Sequence, residues 1–279
     1  MRALLVVRGA ALLRCRSRRR RRSAAAAHFL HLSLTPTEYV SGDEGADVFD
    51  EVEDDASLRL FLDSADVGAW ERWAEAGIFY GFTTNPSILR RDGVRCTPAA
   101  MRQLARKAFG LGVEELQLQA WGTTAKALYS CGLDLFELDA RVVVKVPITL
   151  DGLCAARRLV DDGVPVTLTG LYSAHQAATA LAAGAAYAAP YLGRMSDAGK
   201  DGAAEVLRMQ GIVDLCTSYD GEMRLLVASV RSAEEVAALA AEGCNTFTLS
   251  PAVAEQLVGD TLTAAAAAAF QADAEAMGA

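Results

Sequence analysis

Short apolar runs alternate with longer amphipathic stretches from residue 58 onward, and this alternation constrains the fold more than any other feature of the chain. Each run has the length and the apolar content of a buried strand, and residues with helical spacing follow it. The predicted strands cover residues 58–62, 81–84, 115–120, 141–146, 165–169, 185–189, 224–228 and 245–249. The predicted helices cover residues 66–76, 98–109, 123–139, 150–161, 173–183, 201–218, 233–241 and 251–257.

Eight strand–helix units predict an α/β protein with one closed (β/α)8 barrel of parallel strands, a TIM barrel. An open doubly wound sheet is the alternative, but no GxGxxG motif follows the first strand. Residues 261–277 predict an extra C-terminal helix that has no strand to cover, so we expect it to contact another subunit of a homo-oligomer. No run of about 18 apolar residues occurs, so the sequence predicts no membrane-spanning helix.

The N-terminal segment has a different composition from the rest of the chain. Residues 1–37 contain nine arginines and no acid, whereas residues 38–55 contain nine acids and no base. The first block is typical of an organelle transit peptide, and we expect a plastid rather than a mitochondrion as its target. A nuclear-type basic patch, a mispredicted first exon and a weak signal-peptide core at residues 3–7 are alternatives, and without a targeting role the protein would be cytoplasmic. We predict a disordered acidic linker at 38–56 and the barrel domain at 57–279.

The charges of these two blocks cancel, so residues 56–279 carry the whole formal net charge of −8. An acidic domain does not suit binding to the phosphate backbone of a nucleic acid, and a phosphorylated substrate would need local cations. The six cysteines form no CxxC pair, which predicts reduced and mostly buried thiols. Only one of the three histidines lies in the domain, so we expect no metal site, and we expect no cofactor.

Polar residues lie at or just after the predicted strands, where parallel barrels carry their active sites. Lys145 is the most informative of them because it lies inside the apolar strand VVVKVP. A buried ammonium group is costly, so burial favours the neutral amine, which can attack a carbonyl and form an iminium ion. A lysine that extends out of the barrel end, or pairs with an acid, is the alternative. The strand-end residues are Asp63, Asn85, Gln119, Lys145, Thr169, Tyr191 and Ser229.

Seven motifs in this domain resemble those of the transaldolase family, most closely its small subfamily that includes fructose-6-phosphate aldolase. They occur in the family's order over about residues 58–258. The resemblance implies a barrel that forms a Schiff base with a ketose or a dihydroxyacetone-type unit. The motifs are LFLDSADV (60–67), GFTTNPSIL (81–89), QAWGTT (119–124), VVVKVPITLDGL (142–153), VTLTGLYSAHQAA (166–178), AAPYLGRMSDAGKDG (188–202) and ASVRS (228–232).

The resemblance implies that Lys145 is the Schiff-base lysine and that Asp63 and Asn85 hold substrate hydroxyls near the bond that breaks. Asp63 could instead cap the helix at 66–76, although Ser64 suits that position better because Asp63 is still at the strand end. Asn85 could instead form an Asx turn before Pro86.

The resemblance also implies a proton-transfer group made of a water and three side chains. In the family's transaldolases a glutamate on the third strand acts through this water, and this chain has Gln119 there. In the aldolase-like members a tyrosine after the sixth strand takes part, and Tyr191 occupies that place, with Thr169 as the third group. Gln117 and Thr167 lie on the same strand faces as Gln119 and Thr169, so they remain alternatives.

Arg194 and Ser229 are implied to bind the substrate phosphate, and Arg231 is added as a second cation that could also be a solvated surface charge. Glutamine with tyrosine favours a Schiff-base aldolase that acts on a ketose phosphate such as fructose 6-phosphate. A transaldolase that moves a dihydroxyacetone unit between sugar phosphates, as in the pentose phosphate pathway, is the first alternative. A non-enzymatic barrel that serves as a scaffold is the second.

Overall fold

The computed structural model describes residues 58–220 and 223–278, which all lie in the unit Ala56–Ala279. The predicted transit peptide and the predicted acidic linker lie outside the described residues, so both assignments stay predictions. Within the described residues, no helix is long and apolar enough to cross a membrane.

Eight parallel strands form one sheet in which neighbours along the chain are also neighbours in space, in the order β7-β6-β5-β4-β3-β2-β1-β8. This arrangement confirms the predicted strand count and the parallel topology. The strands are β1 (Arg59–Asp63), β2 (Gly81–Thr83), β3 (Glu115–Gln119), β4 (Val142–Pro147), β5 (Val166–Leu171), β6 (Tyr187–Pro190), β7 (Arg224–Leu225) and β8 (Thr246–Leu249).

The sheet closes into a barrel through Val227, just beyond the short β7. Its backbone N–H donates to the Thr246 carbonyl at 2.9 Å, and its carbonyl accepts from the Thr248 N–H at 2.9 Å. These bonds form a parallel bridge to β8. The closed barrel is therefore confirmed over the open doubly wound sheet. The strand predicted at 224–228 is wrong in its length, because regular pairing ends at Leu225 and continues only as isolated bridges.

Each strand is followed by helical structure, and two short helices were not predicted. Those two are α2 and α7, six residues each, which lie in the loops after β2 and β6. The helices are α1 (Val67–Ala76), α2 (Pro86–Arg91), α3 (Pro98–Gly110), α4 (Ala125–Phe136), α5 (Leu150–Asp161), α6 (Ala174–Ala182), α7 (Leu192–Asp197), α8 (Gly202–Asp220), α9 (Ala233–Ala241), α10 (Pro251–Gln256) and α11 (Thr261–Ala276).

The start of α1 differs from the sequence-based expectation in its N-cap residue. Asp66, rather than Ser64, is its N-cap, and the Asp66 carboxylate accepts from the Gly68 N–H at 2.9 Å. Ser64 instead donates its hydroxyl to the Asp92 carboxylate at 3.0 Å. The Ser64 hydroxyl thus joins the end of β1 to the residue that follows α2.

The apolar core has two parts, as expected for a barrel surrounded by helices. The larger part lies between the strands and the helices, where Trp70 of α1 stacks on Phe82 of β2 with ring centroids 4.6 Å apart. The smaller part fills the barrel interior and includes Phe61, Val143 and Leu226.

The expectation of mostly buried thiols is wrong. Five cysteines are described and all are free, but only Cys244 among them is buried.

A polar cluster lies inside the barrel beside this smaller core. The Glu115 carboxylate accepts from Gln117 at 2.8 Å and from the Tyr187 hydroxyl at 2.9 Å. Tyr187 in turn accepts from Arg59 at 3.3 Å. Burial raises the pKa of Glu115 to about 7, although these bonds and the charges of Arg59 and Arg224 oppose the rise.

We predict that Glu115 makes the stability of the barrel depend on pH. Folding raises its pKa from an ordinary 4.5 to about 7, so the stability that comes from holding its proton is complete below about pH 4.5 and is lost as the pH rises through about 7. The loss amounts to roughly 3 kcal/mol. Urea unfolding at a series of pH values should therefore show a smaller loss of unfolding free energy with rising pH in Glu115→Gln than in the wild type.

Glu114→Gln is the matched control because Glu114 is the adjacent carboxylate and is exposed. It should keep the wild-type pH dependence. The same pH dependence in Glu115→Gln and in the wild type would contradict the prediction.

Candidate active site

The carboxyl ends of the strands surround one pocket of about 240 Å³. Parallel barrels place their catalytic groups at this end, because all strands point toward it. The pocket includes side chains from β1 and β4 and from the loops after β2, β6 and β7. Its lining residues are Asp63, Asn85, Ser87, Ile88, Arg91, Lys145, Tyr191, Arg194, Ala228 and Ser229.

Lys145 lies on β4 and is only 2% exposed, yet it lines this pocket. Val144 and Val146 on either side are fully buried against the helices, so Lys145 must face the barrel interior. Burial lowers the pKa of Lys145, and the charge of Asp63 partly opposes this shift. The result is a lysine whose neutral, nucleophilic form is easier to reach than in water.

Asp63 ends β1 and supplies the carboxylate that faces Lys145. The Thr83 hydroxyl donates to it at 2.7 Å and also contacts the hydroxyl of Thr248. Burial raises the pKa of Asp63, although Lys145, the bond from Thr83 and the charge of Arg91 oppose the rise. Burial thus shifts the pKa values of Lys145 and Asp63 toward their neutral forms, and the charge of each group opposes the shift of the other.

Asn85 lines the pocket and also shapes the local backbone. Its side-chain oxygen caps α2 by accepting from the N–H groups of Ser87 at 3.0 Å and Ile88 at 3.1 Å. Pro86 begins the helix and needs no such acceptor. The cap fixes the Asn85 side chain, and its amide N–H groups remain to donate to a ligand.

The register of β3 separates Gln119 from Gln117. Gln119 pairs with Lys145 across the sheet, is partly exposed and lies at the barrel end. Gln117 lies one layer deeper, where its amide donates to Glu115 and its oxygen accepts from the Thr167 hydroxyl at 2.9 Å. Gln119 is therefore the glutamine that lies level with the lysine.

Thr169 and Tyr191 form a hydroxyl pair at the carboxyl end of the barrel, and of the two only Tyr191 lines the pocket. The Thr169 hydroxyl donates to the Tyr191 hydroxyl at 3.0 Å, and the Tyr191 ring packs edge-on against Tyr172 with centroids 5.8 Å apart. Burial raises the pKa of Tyr191, which the bond from Thr169 opposes. The Tyr191 phenol is therefore protonated at neutral pH and can give a proton to a ligand or to a water. Thr167 donates to Gln117 deeper in the barrel, so Thr169 is the one of the two threonines that lies at the carboxyl end with Tyr191.

The structure brings two of the three predicted phosphate-binding residues into the pocket. Arg194 on α7 and Ser229 beyond β7 line it. The guanidinium carbon of Arg194 lies 5.1 Å from the centroid of the Tyr191 ring. Arg231 lies outside the lining, and its guanidinium pairs with the Asp197 carboxylate at 2.7 Å.

Ser229 has a left-handed backbone with a φ of 60°, and among the described residues it is the one non-glycine residue with positive φ. Its carbonyl accepts from the Gly193 N–H at 2.9 Å. A Cβ on Gly193 would lie 2.5 Å from that carbonyl oxygen and would also meet Arg231, so α7 can approach Ser229 only through a glycine. Strain of this kind in a pocket wall points to a functional constraint.

Sequence analysis missed Arg91, Ser87 and Ile88 in the pocket wall and Thr83 behind Asp63. Thr83, Ser87 and Ile88 belong to the motif GFTTNPSIL, and Arg91 lies two residues beyond it. The alternation of β2 gave a signal for Thr83, because it lies two residues before Asn85. The contribution of Arg91 depends on α2, which was not predicted.

The sequence model described as Transaldolase/Fructose-6-phosphate aldolase matches residues 60–279, which is most of the chain and includes every residue of this pocket. The chain belongs to this family. A probable transaldolase of Desulforudis audaxviator is 35% identical over 206 residues, 74% of this chain and 92% of the relative. A probable transaldolase of Nitrosopumilus maritimus is 33% identical over 208 residues, 74% and 90% of the two chains.

The family consists of aldolases and transaldolases, so the protein is an enzyme with aldolase or transaldolase activity. Membership of this family implies sugar phosphates as substrates. A solved structure of a flavocytochrome b2 mutant matches with a TM-score of 0.51 at 10% identity, over 70% of this chain and 57% of that chain. This likeness shows the barrel fold alone.

The pocket predicts how Lys145 responds to the loss of its neighbouring charge. In Asp63→Asn the opposing charge is gone and only burial remains, so the pKa of Lys145 should fall further. The rate of Lys145 acetylation by acetic anhydride, followed by peptide mass spectrometry over a pH series, should then reach its plateau at a lower pH than in the wild type.

Asp66→Asn is the matched control, because Asp66 is exposed and asparagine also caps helices well. It should leave the Lys145 labelling profile unchanged. A profile for Asp63→Asn that moves to higher pH, or does not move, would be inconsistent with the charge coupling.

Proposed function

We propose that this protein is a Schiff-base (class I) aldolase that cleaves or forms a carbon–carbon bond in a ketose phosphate such as fructose 6-phosphate. The observation that carries the proposal is Lys145, a buried amine with a lowered pKa at the carboxyl end of a barrel strand, beside the Asp63 carboxylate. A lysine in such surroundings is suited to carbonyl attack.

The chemistry runs from this amine. Neutral Lys145 attacks the ketose C2 carbonyl, and loss of water gives an iminium ion that the Asp63 carboxylate stabilises. The C3–C4 bond then breaks, its electron pair moves to the iminium to give an enamine, and the C4 hydroxyl loses its proton and leaves as an aldehyde. Protonation of the enamine at C3 and hydrolysis of the new iminium release dihydroxyacetone and free the lysine.

The proton of the C4 hydroxyl needs an acceptor, and the enamine carbon needs a donor. Gln119 has no useful basicity near neutral pH. We assign the transfer to a water held by Gln119, Thr169 and Tyr191. The bond between the hydroxyls of Thr169 and Tyr191 supports this assignment, since it orients the phenol. Asn85 donates to a substrate hydroxyl through its amide, because its oxygen is used by the helix cap.

The phosphate end of the substrate lies toward Arg194 and Ser229 in this proposal. Both line the pocket, and among the described residues Arg194 forms no ion pair with a carboxylate. A free guanidinium beside a serine hydroxyl suits a phosphate dianion.

Transaldolase is the second candidate, and the names of the relatives favour it, since both are probable transaldolases. That reaction uses the same lysine but passes the dihydroxyacetone unit to an acceptor aldose instead of releasing it. Gln119 and Tyr191 in the proton-transfer group favour the aldolase.

The test is to incubate the enzyme with fructose 6-phosphate alone and measure free glyceraldehyde 3-phosphate with a coupled dehydrogenase. The aldolase proposal predicts release without any acceptor sugar, and no release by Lys145→Met. Release that requires erythrose 4-phosphate as acceptor would establish the transaldolase instead. No turnover under either condition would overturn both for this donor.

Tyr191→Phe tests the proton-transfer group. The variant keeps the ring that packs on Tyr172 and loses the hydroxyl that Thr169 orients. We expect kcat for aldehyde release to fall about a hundredfold or more, while Lys145 still forms the Schiff base. Tyr172→Phe is the control, because it removes a phenol hydroxyl from the adjacent ring and leaves the Thr169–Tyr191 bond in place. It should retain most of the activity. A Tyr191→Phe enzyme with wild-type kcat would remove Tyr191 from the mechanism.

We propose that the C-terminal helix α11 contributes to a homo-oligomer. None of its residues is buried, and Leu262 and Phe270 are 80% and 71% exposed. Most of the stability of a helix in a protein comes from tertiary packing of one face, and the alanine-rich surface of α11 suits close packing. We assign it as a contact with a second copy of this chain.

Light scattering coupled to size exclusion tests that assignment. The wild type should elute as an oligomer, whereas Leu262→Glu combined with Phe270→Glu should have a lower mass. Gln271→Glu, an exposed polar position on the same helix, should keep the wild-type mass. An unchanged mass in the double variant, or in a chain truncated before Thr261, would contradict the contact.

A further inference from the structure

The pocket contains a second arginine, Arg91, which lies outside the seven motifs of the sequence analysis. Of the two cations proposed from the sequence, only Arg194 lines the pocket, while Arg231 is paired with Asp197 outside it. Arg91, in the last turn of α2, lines the pocket instead. The second cation of the pocket is therefore Arg91, in the loop after β2, and not Arg231, in the loop after β7, as predicted from the sequence.

The guanidinium of Arg91 is held in place from behind. Its Nε and Nη2 atoms donate to the two Asp92 oxygens at 2.6 Å and 3.0 Å. Asp92 is itself fixed, because it accepts from the Ser64 hydroxyl at 3.0 Å and from the Ala65 N–H at 2.8 Å. The remaining Arg91 donors, above all the Nη1 pair, are left for a ligand, and the side chain is 52% exposed.

Arg91 and Arg194 come from opposite sides of the barrel. They follow β2 and β6, which are four strands apart in the ring of eight. Both nevertheless line one pocket of about 240 Å³. The charge of Arg91 also lowers the pKa of Asp63, against the burial that raises it.

We infer that Arg91 is a specificity-determining residue that binds the phosphate group of the sugar substrate together with Arg194. Two guanidinium groups on facing walls match the two negative charges and the three terminal oxygens of a phosphate monoester. Ser229 supplies a hydroxyl at the same pocket. The inference rests on the proposed function for the identity of the ligand as a sugar phosphate, but it does not depend on the Schiff-base chemistry.

The experiment therefore measures binding without turnover. Glucitol 6-phosphate has the phosphate and the hydroxyls of a ketose phosphate but no carbonyl, so it cannot react with Lys145. Its affinity for the full-length enzyme is measured by isothermal titration calorimetry in wild type, Arg91→Met, Arg91→Lys and Arg90→Met. Arg90 is the matched control, because it is the preceding arginine of the same helix, is exposed and does not line the pocket.

We expect Arg91→Met to bind glucitol 6-phosphate on the order of tenfold more weakly or worse, the usual size of a lost hydrogen bond to a charged group. Arg91→Lys should be intermediate because it keeps the charge, and Arg90→Met should match the wild type. The wild-type affinity should rise as the phosphate gains its second charge near pH 6, and this rise should be smaller in Arg91→Met.

A purely structural role for Arg91, as the partner of Asp92, predicts other results. Arg91→Lys would then be as weak as Arg91→Met, and the dependence on the second phosphate charge would be the same in all variants. Either of these results, or wild-type affinity in Arg91→Met, would overturn the inference. A failure of the Schiff-base proposal appears separately, as absence of turnover in a wild-type enzyme that still binds glucitol 6-phosphate through Arg91.

Discussion

The burial of one amine, that of Lys145, is the constraint on which the rest of the active site depends. An ammonium group in an apolar barrel strand is costly, and the structure reduces this cost by lowering the pKa of the lysine and by placing the Asp63 carboxylate near it. The same burial raises the pKa of Asp63. Burial in the barrel thus favours the neutral forms of both groups, and the proposed iminium chemistry requires such a pair, which can change between ionised and neutral states.

Separate contacts position the side chains and the backbone around Lys145 and Asp63. Thr83 orients Asp63 from the neighbouring strand, and Thr169 orients Tyr191 from the strand beside β4. The left-handed backbone of Ser229 and the close approach at Gly193 fix the wall opposite α2. Deeper in the barrel, Glu115 forms a polar cluster with Gln117 and Tyr187. The pocket that Lys145 lines lies at the carboxyl end.

Much of this could be predicted from sequence because it depends on local patterns. Strand-end positions placed Asp63, Lys145 and Tyr191 on one barrel end, and alternation along β3 limited the choice to Gln117 or Gln119. Contacts between distant segments could not be predicted. Arg91 rather than Arg231 lines the pocket because of such contacts. Asp197 pairs with Arg231, and Asp92, which Ser64 holds, pairs with Arg91. The helices α2 and α7 are too short for a periodic pattern, and the closure through Val227 depends on isolated bridges.

The most direct measurement is borohydride trapping with fructose 6-phosphate or dihydroxyacetone, followed by intact mass and peptide mapping of wild type and Lys145→Met. The account predicts that one reduced ketose-derived group is attached to the peptide that contains Lys145, and that Lys145→Met gains none. An adduct on another lysine would contradict the assignment of the nucleophile. No adduct with either ketose would contradict the Schiff-base mechanism for these donors, whatever other activity the barrel has.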